Sequence, residues 1–63
     1  MDDTVQNGNT QTAVEVVEAI GEWFVRVIED GQEQSRSFEL ESYAIAFAEG
    51  QRIRLHLDNV VRI

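Results

Sequence analysis

The chain has one histidine, His56, two residues ahead of an acid, Asp58, and no cysteine. Nucleophilic catalysis needs a hydroxyl or thiol within reach of an imidazole that a third group orients. Cysteine is absent, and Asp58 falls in an expected turn where it would not hold the ring. His56 therefore reads as a solvated or helix-terminal residue. Paired carboxylates do acid–base work when burial desolvates one of them, and Glu29-Asp30 and Glu39 with Glu41 are the candidate pairs. Among 12 acids they read as solvated surface. The acids are spread along the chain with no calcium-loop spacing, and no Cys/His set could hold zinc. Gly8, Gly21, Gly31 and Gly50 stand too far apart to form a phosphate-cradling loop. The expectation is a protein that is not an enzyme and has no cofactor and no metal.

Two patterns point to binding. The first is Trp23-Phe24-Val25-Arg26, in which aromatics stand next to a cation, as on a surface that stacks single-stranded nucleic acid. So short a chain also needs its largest apolar side chains in its core, and the core reading is preferred. The second is charge placement. The formal net charge is −7, yet residues 52–63 hold Arg52, Arg54 and Arg62 against Asp58 alone, leaving Arg26 and Arg36 among all the remaining acids. Such a basic end could receive an acidic partner, or it could neutralise the chain's own carboxylates and favour a helix C-terminus. Ile45, Ile53 and Leu57 add apolar surface beyond what one small sheet is expected to cover. The candidate partner-binding set is thus Ile45, Arg52, Ile53, Arg54, His56, Leu57 and Arg62. Its expected partner is another protein or a second copy of the chain in a homodimer. The alternative is nucleic-acid binding through Arg26, Arg36 and the C-terminal arginines, which the overall negative charge disfavours.

The elements that must position these residues follow from periodicity. Residues 1–11, MDDTVQNGNTQ, are polar without an apolar period and read as a disordered tail. Thr12 to Ile20 is rich in β-branched residues and reads as a strand, turning at Gly21-Glu22, with a short helix as the competing reading. Trp23 to Ile28 is a firmer strand with Trp23, Val25 and Val27 facing the core. Asp30-Gly31 supplies a hairpin turn, and Glu33 to Phe38, mostly polar, reads as an edge strand with Arg36 facing acids or solvent. Around a helical wheel Leu40, Ala44, Phe47, Ala48 and Leu55 share one face, with Tyr43 and Leu57 on its flank. No good N-cap precedes that helix, and Gly50 weakens it while allowing close approach to a sheet. Arg52 to Leu57 fits either the end of this helix, with Asn59 leaving it in a left-handed conformation, or a strand paired with Val60 to Ile63. The helix reading is preferred.

The result is an α+β fold of order β-β-β-α-β, a small antiparallel sheet with one helix across one face, in a single domain over residues 12–63. With 63 residues, 43% of them apolar and 27% charged, the chain is a globular domain with a modest core and no disulfide to reinforce it. No apolar run is long enough to span a bilayer, and Met1-Asp2-Asp3 lacks the basic start of a secretory signal, so a cytoplasmic location is expected.

The segments GEWFVRVIEDG and SFELESYAIAFAEGQR resemble small bacterial domains of unknown function built from a β meander and a helix. The shared features are a Gly-x-Trp-x-Val strand, at Gly21, Trp23 and Val25, and alanines along the helix, at Ala44 and Ala48. The Ser-x-Phe entry to the helix departs from the pattern here, since Ser37 and Phe38 are adjacent. The resemblance spans about residues 20 to 57 and implies the fold. The same order is similar to the arm-binding domains of tyrosine recombinases. This chain has no lysine and an acidic sheet region, so their DNA binding is not carried over.

Overall fold

The computed structural model describes residues 12–63. The expected tail over residues 1–11 lies outside them. Three strands, β1 (Ala13–Ala19), β2 (Glu22–Glu29) and β3 (Gln32–Phe38), precede one helix, α1 (Glu41–Arg54), and a two-residue strand, β4 (Val61–Arg62). The sheet order is β3-β2-β1-β4, and the helix packs against β1, β2 and β3. This is the expected α+β order. The sheet is mixed, however, because β4 pairs parallel to β1. The helix carries the chain from one sheet edge across to the other, so β4 arrives running the same way as β1.

Alternation decides which side of the sheet is covered. Val14 and Val16 of β1 stand beside Val27 and Val25 of β2, and all four are buried. The helix meets them with Ala44 and Ala48, both fully buried. These methyl-sized contacts let the helix lie close to the sheet. Gly50, expected to serve that end, is exposed, and a Cβ there would meet nothing within 4 Å. Around this centre Trp23, Phe38, Ile45, Phe47, Leu55, Leu57 and Val60 pack partly buried. Phe38 and Phe47 join sheet to helix with ring centroids 5.5 Å apart, and the Arg36 guanidinium lies 5.2 Å from the centre of the Phe47 ring. Arg36 thus covers an aromatic face.

Both hairpins use two-residue loops. Asp30-Gly31 has φ of 53° and 81°, as the Asp-Gly pair suggests, and Ile20-Gly21 has φ of 55° and 75°. Positive φ at both positions marks the turn whose twist matches that of its strands. The first turn therefore falls one residue earlier than Gly21-Glu22, because Ala19 pairs with Glu22.

The helix ends sooner than Leu57. Its last residue is Arg54, Leu55 is the C-cap, and His56 takes the left-handed conformation at φ 60°. The His56 amide donates to the Ile53 carbonyl at 3.2 Å and the Leu57 amide to the Arg52 carbonyl at 3.0 Å. These are the two bonds of a Schellman motif, which satisfies the last helical carbonyls. The left-handed position expected at Asn59 is thus filled by His56. Leu57 reaches the core because the motif folds it back, which a helical wheel does not distinguish from one more turn. None of the helices described is long and apolar enough to cross a membrane.

Candidate functional site

Of the three arginines that cluster in the sequence, Arg54 stands apart from Arg52 and Arg62, which line one cleft. Arg54, at the C-terminal end of the helix, places Nη2 3.2 Å from Glu29 Oε1 and also bonds Gln51. Arg62 lies at the other end, with Nη2 2.7 Å from Glu41 Oε2 and its guanidinium 6.0 Å from the centre of the Trp23 ring. Arg52 donates from Nε to Glu49 Oε1 at 2.7 Å and from Nη1 to the Leu57 carbonyl at 3.1 Å, tying the helix to the segment leaving it. A cleft of about 460 Å³ between helix and C-terminal segment brings Ile45, Arg52 and Arg62 together with Glu49 and Asp58. Its cations already face carboxylates of the same chain. Ile53 is exposed on the helix, and His56 is exposed beyond it. Ile45 and Leu57, expected to add free apolar surface, pack against the core instead. Of the segment leaving the helix, Val60 packs against the core as well, and Asp58, Asn59 and Val60 form the far wall of the cleft from Ile45.

Arg26 sits on the opposite face of the sheet, where no described element covers it. Its Nε is 2.8 Å from Glu15 Oε1 and its Nη1 3.5 Å from Glu33 Oε2, a row of charges running across three strands. Glu15 Oε1 is shielded from water and makes no aligned hydrogen bond, so this close approach is an attraction of charges rather than a directed N–H···O bond. Cross-strand pairs of this type hold register more than they add stability. Among the described residues, no group of three or more His, Cys, Asp or Glu side chains could hold a metal ion.

A different surface emerges from exposure. Among the described residues, the large exposed apolar ones are Ile20, Leu40, Tyr43, Ile53, Val61 and Ile63. Strand pairing places Ile20, Leu40 and Tyr43 at one end of the molecule. Ala19 and Glu22 are the last pair before the Ile20-Gly21 turn, Trp23 pairs with Phe38 beside it, and the chain passes two residues later into Leu40 and the first turn of the helix. Ile63, whose amide donates to the Val16 carbonyl at 3.0 Å, follows β4 toward the same end. Leu40 and Tyr43 were expected on or beside the buried helical face, yet they are 52% and 63% exposed. The sheet has run out beneath them, and Leu40, with φ −119° and ψ 135°, precedes the helix in extended backbone. Ile20 is wholly exposed, at 101% of its reference area. Alternation along the strands could have exposed this end, since an isoleucine immediately before Gly21 is spared from both faces by the turn. No protein-family model matches the chain, and no curated protein and no solved structure shows a significant similarity to it.

Proposed function

We propose that this protein is a non-catalytic, cytoplasmic protein-interaction module, docking through the apolar end built from Ile20, Leu40 and Tyr43. The observation that carries the reading is the placement of the three, each more than half exposed, at one end of so small a molecule. Scattered apolar residues on a surface are ordinary, whereas a contiguous group marks a contact site. The half-buried Trp23 and Phe38, a strand pair next to this end, tie it to the core. Self-association belongs to the same reading, with a second copy as the occupant. Nucleic-acid binding gains less support, because Arg26, Arg52, Arg54 and Arg62 all face carboxylates of this chain and phosphate would have to displace them.

A photo-crosslinking amino acid at Tyr43 tests the proposal in cells, with the same group at the exposed Ser35 of β3 as control. A discrete protein adduct is expected from Tyr43 and none from Ser35. An adduct at twice the chain's mass would identify a second copy. No adduct at Tyr43, or the same set from both positions, would remove the docking reading.

A further inference from the structure

Two local rules of folding are broken at the apolar end, and both breaches put an aliphatic side chain where a polar one would serve the fold better. The two hairpin turns supply an internal comparison. They share the same backbone, yet the second holds Asp30 at its first central position and the first holds Ile20 at φ 55°. A β-branched residue is strained in that conformation, which Asn, Asp and Gly adopt readily. Ile20 gains nothing in exchange within the chain, since its side chain is wholly exposed. The second breach is Leu40, which occupies the N-cap position and makes no side-chain cap. Ser, Thr, Asp or Asn there would bond a free helical amide. Positions where local preference and observed residue disagree are where function is expected to override folding.

Building on the docking reading above, we infer that Ile20 and Leu40 are anchors for a partner segment carrying both large apolar and basic side chains, and that this partner is not a second copy. The second half of the inference comes from charge. Exposed Glu18 and Glu22 flank the Ile20-Gly21 turn, and exposed Glu39 precedes Leu40, so acids border the apolar end. Among the described residues none of the three is paired with a cation, whereas Glu41 is held by Arg62. Two such ends brought face to face would set these acids against one another, in a chain of net charge −7. A second copy has little cationic surface to offer elsewhere, because four arginines face its own carboxylates and Arg36 lies over Phe47. A basic amphipathic segment satisfies both the apolar centre and the acidic rim.

The test uses the whole chain and the variants Ile20→Asn and Leu40→Asp. Each variant installs the residue its backbone favours, so each should raise Tm by about 5 °C. Calorimetric titration then compares three peptides of about 14 residues, four helical turns, with the same leucine face and with Lys, Gln or Glu at the polar positions. The Lys peptide should bind the unmodified chain about tenfold more tightly than the Gln peptide, and the Glu peptide should not bind. Raising salt from about 50 mM to about 500 mM should erode that preference. In the more stable Ile20→Asn variant the affinity should fall about tenfold, as expected for an anchor side chain. Equal affinity for the Lys and Glu peptides would overturn the basic partner. Unchanged binding by Ile20→Asn would overturn Ile20 as an anchor. Dimerisation that depends on Ile20 would give the surface to a second copy, overturning this inference while sparing the docking reading. Binding by no peptide, with the Tyr43 adduct still formed in cells, would do the same. Failure of both experiments would remove both readings.

Discussion

At the scale of single residues, His56 shows how a chemically suggestive side chain can serve the backbone. Its imidazole has no described partner close enough to orient it for catalysis. What matters is its left-handed φ, which completes the two closing bonds of the helix. Histidine adopts this conformation more readily than most residues, but glycine does so without a steric penalty. Replacing His56 with Gly should therefore stabilise the protein by about 1 kcal/mol. In urea this would appear as a higher midpoint at unchanged slope. A lower midpoint would mean that the ring makes a contact worth more than the strain. The identity of such residues was legible in the sequence, but their backbone state was not. Nothing in Leu55-His56-Leu57 signals a reversal, and Asn59 was the better residue on propensity alone.

Among the elements, the strands were the most legible. Val14 and Val16, then Trp23, Val25 and Val27, recur at the two-residue interval that one covered face imposes. The polar run of β3 likewise announced an edge, and six of its seven residues are exposed. The helix was legible through Ala44 and Ala48, but its ends were not, because a wheel continues past any residue that happens to be apolar. β4 was legible as a short strand and not as a parallel one. Its direction depends on where the helix delivers the chain, and two residues carry no signal of that. The candidate interaction surface was harder still. The basic end seen in the sequence depended on nearness along the chain, whereas Arg54 closes the fourteen-residue helix and Arg62, in β4, pairs with Glu41 at the start of that helix. The helix also invites a direct test of its own. Gly50 lies in its interior with open space where a Cβ would stand, so Gly50→Ala should stabilise it by about 1 kcal/mol. Thermal denaturation would show the gain, and a loss would reveal a close contact at Gly50.

For the molecule as a whole, the limiting feature is the size of its interior. Among the described residues, the largest fully buried side chains are those of Val14, Val16 and Val25, and no aromatic or leucine is completely enclosed. Globular proteins retain about 0.05–0.15 kcal/mol per residue, which for this chain means only about 3–9 kcal/mol. Val25→Ala removes two methyl groups from the centre of that interior and should cost about 2–3 kcal/mol. Chemical denaturation should show much of the total stability gone. A cost below about 0.5 kcal/mol, the range of ordinary surface changes, would place Val25 outside the true core. With reserves this small, strain at Ile20 and the missing cap at Leu40 are appreciable fractions of the whole. A partner that binds only the folded chain would raise its apparent stability in proportion to its concentration.

The pairing of β4 with β1 sets an order of assembly. The meander of β1, β2 and β3 is joined by two-residue loops and needs only neighbouring residues to form, whereas Val61 must find Glu15 from across the described chain. Contacts of that separation form late, after the entropy of closing the long loop has been met. Two paired residues give little to hold the segment once docked. β4 should thus be the last strand to arrive and the first to leave. Each departure would expose the edge of β1 and release Arg62 from Trp23 while the rest of the sheet stayed intact.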